Sequence, residues 1–379
     1  MTTVCMTPLT LGYPQGGGHL WEYLNWALSL RALGCRVLWL EDIGEHATRN
    51  PRAEVERDIA TLSARLETHG LDGALALASF SGDELDPELV DGRLGLEAAA
   101  AEADLLLDFA YDTPPGVLAM FRRTALFDLD PGLLQLWMSQ GKLHVTEHDV
   151  NFTTGETVGT SEARFPDGGF RWQHTKPAVF LAAWPANSVA GGRYTTVTNW
   201  WEDWIELDGE PVCNDKRTAF LSYAELPARA NQPLELAVTL DDYTAATDMP
   251  IMEAGGWIVR DAWEVCPTPD DYRAYIQASR AEFSCAKPSC HLLANAWISN
   301  RTLCYLASAK PAVVEHTGPS RFLPEAAGVL RFRDMDEAVA AIEAVEADYE
   351  RHSRLARELA EEHFDGEKVV RRVLELALA

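Results

Sequence analysis

Three consecutive glycines and a histidine, from Gly16 to His19, join an apolar stretch to an amphipathic helix pattern near the start of the chain. The apolar stretch predicts a strand over residues 3–11, and leucines at helical spacing predict a helix over residues 20–32. A second apolar run at residues 37–40 predicts the next strand. A strand, a helix and a strand in this order form a βαβ unit, so the chain is expected to build a parallel sheet.

The glycine loop of Gly16, Gly17 and Gly18 suggests that the start of this helix binds a ligand. Because glycines have no side chain, the backbone amides can approach a ligand closely, and the helix dipole favours negative charge at that end. His19 follows directly and is placed to act as a base. The alternative is that His19 closes a turn by bonding to the backbone.

The charge of the chain restricts its partners. Among 379 residues, 58 are acidic and 32 are basic, which gives a formal net charge of −26. Since nucleic acids and anionic membranes bind basic surfaces, we expect neither as a partner, and a small molecule instead. The seven cysteines are scattered without a Cys-x-x-Cys pair, so we predict no disulfide framework and no zinc site. With no basic leader and no apolar run of about 20 residues, a cytoplasmic protein is expected.

Alternating strand and helix patterns continue along the chain in two series. The first extends to about residue 129, with a helix at 52–68 and strands at 74–78, 104–110 and 124–129. An irregular segment follows at residues 144–186, and we place a linker near residues 184–193. The second series starts with a strand at 194–199 and continues to 315. The pattern therefore predicts two Rossmann-like α/β domains, residues 1–190 and 191–379, with a helical tail from residue 336.

Several motifs together resemble GT-B-type glycosyltransferases. The N-terminal segment 14–20, with its glycine loop, is similar to the family's opening loop and helix, and residues 33–37 to its second strand. In the second half, residues 296–302, the Lys310-Pro311 turn, the strand after it and Thr317-Gly318 are similar to the family's donor site. The resemblance implies the α/β GT-B fold, in which two Rossmann-like domains face each other across a cleft and C-terminal helices cover them.

The resemblance also implies a reaction. A nucleotide-diphosphate sugar would bind to the C-terminal domain as co-substrate, and a small acceptor, such as a specialised metabolite in natural product biosynthesis, to the N-terminal domain. His19 matches the catalytic base of the inverting members, and Asp108 is in the usual place of the carboxylate that orients it. Asp112 is the second candidate for that carboxylate. No acidic metal motif is convincingly placed, so we expect no metal and no other cofactor.

The donor side is predicted from residues that suit a diphosphate. Arg301 and Lys287 are the candidates for charge neutralisation. The other predicted donor-binding residues are Ser299, Asn300 and Thr302 at the helix start, Thr317 and Gly318 beside the sugar, and Asn199 at a strand end. Trp297 or Phe283 is expected to stack on the base. The sequence departs from the plant-type signature, because residues 303–306 contain no glutamate for the ribose.

Other interpretations stay open for these residues and for the whole chain. Asp108 is also suited to cap a strand end, Arg301 to pair with a carboxylate, and Lys287 to lie in an exposed loop. The chain could be a nucleotide-sugar 2-epimerase, a nicotinamide dehydrogenase or a non-catalytic nucleotide-sugar-binding protein. Its loop reads Gly-Gly-Gly-His and not Gly-x-Gly-x-x-Gly, which argues against the dehydrogenase. A monomer or a homodimer is expected.

Overall fold

The chain folds into two α/β units, which are described here one at a time. The computed structural model describes residues 1–187, 192–201, 204–323 and 326–379. Unit 1 consists of Met1–Gly159, Phe165–Phe180 and Gly366–Ala379, and unit 2 of Thr160–Arg164 and Leu181–Asp365. Among the described residues, no helix is long and apolar enough to cross a membrane.

Unit 1 is built on a seven-stranded sheet. Its strands are β1 (Thr3–Met6), β2 (Arg36–Asp42), β3 (Leu75–Ala78), β4 (Leu105–Asp108), β5 (Thr124–Asp128), β6 (Val150–Thr153) and β7 (Trp172–His174). The order is β3-β2-β1-β4-β5-β6-β7, and every pair is parallel. Because all strands run the same way, their carboxyl ends meet at one edge, where ligands bind in such sheets.

Helices cover the faces of this sheet. They are α1 (Gly17–Ala32), α2 (Gly44–Arg49), α3 (Arg52–Thr68), α4 (Pro87–Val90), α5 (Leu96–Glu102), α6 (Pro115–Leu118) and α7 (Leu133–Ser139). Helix α1 is buried almost all round from Leu20 to Leu30, because the sheet covers one side and the C-terminal helix of the chain covers another. The strands are apolar on both faces, as expected for a parallel sheet with helices on each side.

Strand β1 ends earlier than the apolar run predicts. Residues 7–11 were expected to continue the strand, but pairing with β2 ends at Met6. Leu9 has a φ of +52°, a left-handed conformation that an extended strand does not contain. The backbone of Thr10 and Leu11 is bonded to a side chain and not to a neighbouring strand. Residues 7–11 therefore form an ordered loop at the carboxyl edge of the sheet.

Unit 2 contains a second seven-stranded sheet and a separate hairpin. The strands are β8 (Tyr194–Thr198), β9 (Trp204–Leu207), β10 (Glu210–Cys213), β11 (Leu234–Val238), β12 (Ile258–Asp261), β13 (Ala281–Ser284), β14 (Ala312–Glu315), β15 (Ala326–Ala327) and β16 (Val329–Phe332). The sheet order is β12-β11-β8-β13-β14-β16-β15, parallel except for the pair of β15 and β16. Strands β9 and β10 form the antiparallel hairpin through Asp208-Gly209, a pair typical of tight hairpin turns.

The remaining helices complete unit 2, apart from the last one. They are α8 (Lys216–Ser222), α9 (Leu226–Ala230), α10 (Asp242–Thr247), α11 (Met249–Ala254), α12 (Ala262–Val265), α13 (Pro269–Ala278), α14 (Pro288–Leu293), α15 (Asn300–Ala307), α16 (Met335–Ala347), α17 (Tyr349–Leu359) and α18 (Gly366–Ala377). A π-helical turn at Ala360–Phe364 links α17 to α18. The helical tail expected from residue 336 is thus present.

The last helix does not belong to the unit that the sequence analysis assigned it to. Helix α18 packs against α1 and is part of unit 1, whereas residues 191–379 had been expected to form one domain. The change from unit 1 to unit 2 comes after Phe180. The predicted boundary at 190/191 and part of the predicted linker, residues 188–191, lie outside the described residues. Spatial packing decides this assignment, since α18 lies far from α1 in sequence.

Candidate functional site

Three carboxylates near the carboxyl ends of unit 1 strands are fully or almost fully buried: Glu41 on β2, Asp108 on β4 and Asp128 on β5. A buried carboxylate needs hydrogen-bond donors to compensate for lost hydration. Each of the three receives donors from a loop at the same edge of the sheet. They therefore act as anchors for the loops that surround the site.

Glu41 anchors the loop of residues 7–11. Its carboxylate accepts hydrogen bonds from the backbone N–H of Thr10 at 2.8 and 2.9 Å and of Leu11 at 3.1 Å. The Thr10 hydroxyl and the Trp39 indole N–H, at 2.8 Å, also donate to it. Burial raises the pKa of Glu41, and these hydrogen bonds act in the opposite direction.

Asp108 contacts His148, not His19 as the sequence analysis predicted. Its Oδ2 lies 3.0 Å from His148 Nε2, while Oδ1 accepts hydrogen bonds from the hydroxyls of Thr7 and Thr113. The side chain is fully buried, so the histidine within its reach is the buried one. His148 Nδ1 lies 2.8 Å from the Thr146 carbonyl, so both ring nitrogens face acceptors. The contact with Asp108 therefore needs one proton, held by the ring or by the carboxyl group.

Asp128 holds the loop after β5. Its Oδ2 accepts hydrogen bonds from Gln135 Nε2 at 2.8 Å and from the Thr153 hydroxyl at 2.7 Å, and Oδ1 accepts from the Asp130 N–H. Burial raises the pKa of Asp128 to about 7, although the hydrogen bonds from Gln135 and Thr153 lower it. Asp128 thus fixes the segment that follows β5.

A cavity of about 560 Å³ lies at this edge of unit 1 and contains His19 in its wall. Its lining residues are Leu9, His19, Tyr23, Phe109, Tyr111, Asp112, Leu129, Asp130, Trp137, Lys142 and Leu143. Four aromatic rings and three leucines make the wall mainly apolar, with a few polar groups placed among them. This composition is typical of small-molecule sites. Asp112, the second candidate partner of His19, lines the same cavity.

His19 stands in the first turn of α1, directly after the glycine loop. Its Nε2 lies 3.4 Å from the Leu9 carbonyl oxygen, and its ring meets the edge of Tyr23 at 5.4 Å between centroids. His19 is exposed as a residue, yet the protein atoms packed against its ring reduce its hydration and lower its pKa; the bond to Leu9 raises it. The neutral imidazole, the form needed in a base, is therefore favoured near neutral pH.

The glycine loop begins helix α1. Gly16 is the residue before the helix, and Gly17 and Gly18 form its start. A Cβ atom added to Gly16 would lie 1.9 Å from the Tyr13 ring, so the close approach of this ring requires a glycine there. Tyr13 in turn lies 6.2 Å from His19 between ring centroids. The loop thus packs an aromatic residue beside the predicted base.

In unit 2, Arg301 has a structural role that the alternative interpretation anticipated. The residue is buried at the start of α15, and its Nε donates to Glu282 Oε1 at 2.7 Å. Nη1 donates to the Val197 carbonyl at 2.8 Å, and Nη2 donates to the Ser284 hydroxyl. Arg301 therefore joins α15 to β8 and β13, and its predicted contact with a phosphate stays a prediction.

Lys216 is a cation that the sequence analysis missed. It is the first residue of α8, and its electrostatic neighbours include Arg301 and Lys287. Burial and the positive charges of Arg301 and Lys287 lower the pKa of Lys216 to about 7. In a chain of net charge −26, these three residues form a local positive group, named here the cation cluster. Within the cluster, Arg301 contacts β8 and β13 near their carboxyl ends, through Val197 and Ser284.

The other predicted donor residues lie around the ends of α15 and β14. Ser299, Thr302 and Thr317 line a narrow cavity of about 20 Å³. Ser299 is the residue before α15, but its side chain makes no capping bond, and Asn300 accepts a hydrogen bond from Cys304. Thr317 donates to the Trp297 carbonyl at 2.6 Å. Three of the predicted donor residues, Ser299, Thr302 and Thr317, are thus brought together in one cavity.

Three more predicted residues can be placed. Gly318 has a φ of +133°, and a Cβ there would lie 2.6 Å from the Ala294 oxygen, so this turn requires glycine. Asn199 is exposed directly after β8. Phe283 is wrong as a base-stacking candidate, because it is fully buried and stacked on Phe332 at 5.1 Å. Trp297 lines the narrow cavity and stays a candidate.

Comparisons with known proteins agree with this architecture. No protein-family profile and no curated protein matches the sequence. HepE from Anabaena, solved in complex with UDP and glucose, is 11% identical and aligns over 99% of both chains with a TM-score of 0.62. Sucrose-phosphate synthase from Thermosynechococcus elongatus is 11% identical over 99% of this chain and 98% of its own, with a TM-score of 0.58. The chain has the GT-B fold.

AviGT4, a glycosyltransferase involved in avilamycin A biosynthesis, shares the GT-B fold as well. It is 12% identical over 100% of this chain and 98% of its own, with a TM-score of 0.56. The fold expected from the resemblance is thus confirmed, with matches that span both α/β units. At these identities the similarity concerns the GT-B fold and not the activity.

The residues that sequence reasoning missed had weak signals. Glu41 follows the apolar run of β2, and a carboxylate at a strand end of a parallel sheet is a reason to look for donors nearby. Lys216 follows Asn214 and Asp215 at a helix start, where a lysine is unusual because the dipole favours negative charge. His148 lies between α7 and β6, in the irregular segment of residues 144–186.

Proposed function

We propose that this chain is a glycosyltransferase that moves a sugar from a nucleotide-diphosphate sugar to a small-molecule acceptor. The cation cluster of Lys216, Lys287 and Arg301 carries the proposal. Burial and the charges of Arg301 and Lys287 disfavour the charged form of Lys216, Glu282 offsets this only in part, and a bound diphosphate would favour the charged form. The GT-B fold supports the same conclusion, because HepE with this fold was solved with UDP and glucose.

The cation cluster has a chemical task in this reaction. As the acceptor oxygen bonds to the anomeric carbon of the sugar, the bond between that carbon and the diphosphate oxygen breaks. Negative charge develops on the diphosphate, and fixed positive groups stabilise it in the transition state. We assign this task to Lys216 and Lys287, with Arg301 holding α15 in place and adding its charge. No metal ion is required by this scheme.

His19 is the proposed base. Since its Nε2 faces the Leu9 carbonyl, Nδ1 is the nitrogen that can take the acceptor proton. In-line attack with a base on the acceptor side inverts the anomeric configuration, so we propose an inverting enzyme. The mainly apolar cavity of about 560 Å³, with four aromatic rings in its wall, favours a drug-sized acceptor with a ring, in line with a specialised metabolite. The seven free cysteines support a cytoplasmic location.

Nucleotide binding tests the proposal most directly. Titration calorimetry of the full chain with UDP, GDP, dTDP, CDP and ADP should identify at least one ligand. Lys216→Met should weaken that ligand by roughly tenfold or more, because a charge-assisted contact is lost. Lys368→Met, in an exposed part of α18, is the matched control and should bind as the wild type does.

Lys216 is a better probe than Arg301. Replacing Arg301 would leave the Glu282 carboxylate buried without its partner, which destabilises proteins by several kcal/mol. Binding of a nicotinamide dinucleotide alone, with no nucleoside diphosphate bound, would contradict the proposal. Conversion of a nucleotide sugar without any acceptor would instead support the epimerase.

The base role of His19 is tested by kinetics. Once donor and acceptor are known, His19→Ala should lower kcat by about a hundredfold or more, because the acceptor proton has no receiver. The Kd of the nucleotide, measured by calorimetry, should stay within about twofold of the wild type. Equal losses in kcat and in nucleotide affinity would show that His19 acts in binding.

A further inference from the structure

We propose that Glu41 is a positioning residue for His19 and acts on it through the peptide group between Leu9 and Thr10. The inference rests on the proposed role of His19 as the base. Glu41 takes the place of a direct carboxylate partner of His19, since Asp108 contacts His148 instead. This arrangement, named here the relay, has a peptide group between the Glu41 carboxylate and the His19 imidazole.

The hydrogen bonds at the two ends of this peptide carry the proposal. At one end, the Thr10 N–H donates to both oxygens of Glu41, at 2.9 and 2.8 Å. At the other end, the Leu9 carbonyl oxygen lies 3.4 Å from His19 Nε2. A trans peptide is planar, and its N–H and C=O point in opposite directions. Fixing the N–H on Glu41 therefore aims the carbonyl at His19.

The backbone conformation of Leu9 supports this reading. Its φ of +52° is unfavourable for a leucine, and 45% of the residue is exposed, so side-chain packing does not explain the conformation. The hydrogen bonds of Thr10 and Leu11 to Glu41 hold the loop in place. A backbone conformation that is unfavourable by itself and is held by surrounding hydrogen bonds is common in functional sites.

Two effects on His19 follow. The Leu9 carbonyl accepts only, so it selects the tautomer with the proton on Nε2 and leaves Nδ1 free to take a proton. The negative charge of Glu41 polarises the peptide, which makes the carbonyl a stronger acceptor. When the ring becomes an imidazolium during the reaction, this acceptor stabilises it. A carboxylate does the same by direct contact in catalytic triads.

Other titratable groups lie near the histidine and belong in any account of its titration. Asp112 after β4, Asp130 after β5, Lys142 after α7 and the Tyr23 phenol line the same cavity, the Tyr13 ring lies 6.2 Å from the His19 ring, and Glu22 on α1 acts electrostatically on Tyr23. Glu41 is linked to the ring through the hydrogen bonds at the two ends of the Leu9–Thr10 peptide. Replacing it by glutamine removes the charge and turns an N–H₂ group toward donors, so the loop loses its fixed orientation.

The experiment is ¹⁵N NMR of the full chain labelled at histidine. The chain has ten histidines, and the His19 signals are those missing from His19→Asn. In the wild type, neutral His19 should carry its proton on Nε2. In Glu41→Gln the pKa of His19 should fall by roughly half a unit to one unit, with mixed tautomers. The acid limb of the pH–rate profile should shift to lower pH by the same number of units, and kcat should fall by about tenfold.

Two variants serve as controls. Glu41→Asp keeps the charge and should leave the His19 pKa closer to the wild-type value. Asp58→Asn removes a buried carboxylate of unit 1 that lies on α3 and bonds to His46, so the His19 signals should not move. A purely structural role of Glu41 would instead lower the thermal stability in Glu41→Gln without changing the His19 tautomer.

The outcomes separate the relay from the proposed function. The relay is overturned if neutral His19 in the wild type carries its proton on Nδ1. This measurement needs only the wild type, so it tests the relay even if Glu41→Gln does not fold. An unchanged pKa and tautomer in a folded Glu41→Gln overturn it too. If the NMR results are as expected but no nucleotide binds and no sugar is transferred, the relay stands and the proposed function fails.

Discussion

At the scale of single residues, the buried charged side chains lie in two kinds of environment. Glu41, Asp108 and Asp128 are each surrounded by hydrogen-bond partners, which offset part of the cost of burial, and they hold loops. Lys216 is different, because its electrostatic neighbours include two more cations and its pKa is lowered to about 7. A residue whose charge is disfavoured in the free protein is suited to bind an anion, which would restore that charge.

Nucleotide affinity should depend on pH through Lys216. Below its pKa of about 7 the side chain is charged and attracts the diphosphate; above it, binding has to take up a proton. The Kd should therefore rise by roughly tenfold between pH 7 and pH 8.5, a range in which a nucleoside diphosphate keeps its charge. Calorimetry in two buffers of different ionisation enthalpy would detect the proton uptake. Lys216→Met should remove the pH dependence; an unchanged slope would exclude Lys216 as its source.

The same residue should reduce the stability of the free protein. Between pH 7 and 10.5 the unfolded chain holds a proton on Lys216 that the folded chain does not, so stability rises with pH in this window. Below pH 7 the penalty is complete. Lys216→Met should thus melt at a higher temperature than the wild type at pH 6, and the gain should shrink toward pH 10. Calorimetric melting without ligand checks this, with Lys368→Met as the control.

At the scale of elements, unit 1 depends on the contact between its first and last helices. Helix α18 buries Val369, Val370 and Val373 on one face. It starts at Gly366, whose N–H donates to the Val179 carbonyl at 2.8 Å. A Cβ at Gly366 would lie 2.1 Å from Ser29 Oγ on α1, so glycine permits the close approach.

Gly366→Ala should therefore destabilise unit 1 by about 1–3 kcal/mol, because the added methyl group overpacks the contact. Urea unfolding, followed by the fluorescence of the tryptophans, measures this change. Gly116→Ala is the matched control, since no atom lies within 4 Å of a Cβ there. Ser29→Ala in the Gly366→Ala background should recover part of the loss. A neutral effect of Gly366→Ala alone would show that α1 and α18 move apart without cost.

At the scale of the whole molecule, the chain returns to its first unit only after completing the second. The contacts assign Gly366–Ala379, which contains helix α18, to unit 1. Each unit has its own sheet and its own buried core, so the loss of α18 should act on one of them alone.

Deletion of residues 366–379 should raise hydrogen exchange in unit 1, above all in α1, while β11 and β13 of unit 2 keep their protection. The physical reason is that α1 is buried on several sides and loses one covering helix. Hydrogen exchange read by mass spectrometry on the full chain and the deletion variant would measure both units at once. Equal loss of protection in both units would mean that they fold as one cooperative body.

Much of the fold follows from local pattern. Helix α3 was predicted over residues 52–68 and is observed at Arg52–Thr68, and the strands after it were found within a few residues of their expected positions. The apolar run of residues 3–11 predicted a strand that ends too late. Hydrophobicity does not indicate the φ of Leu9 or the side chain that binds the Thr10 N–H. Both depend on Glu41, which lies 31 positions after Thr10 in the sequence.

The sequence by itself determined the alternation of strands and helices, because hydrophobic periodicity is a local property, and its motifs pointed to the GT-B fold through their resemblance to a known family. It also placed His19 at the start of α1 beside the glycine loop. Only the tertiary structure decided that Asp108 pairs with His148, that Lys216 joins Lys287 and Arg301, and that α18 completes unit 1. Hydrogen bonds and charges act through space over a few ångströms, so residues far apart in sequence become partners only when the chain has folded.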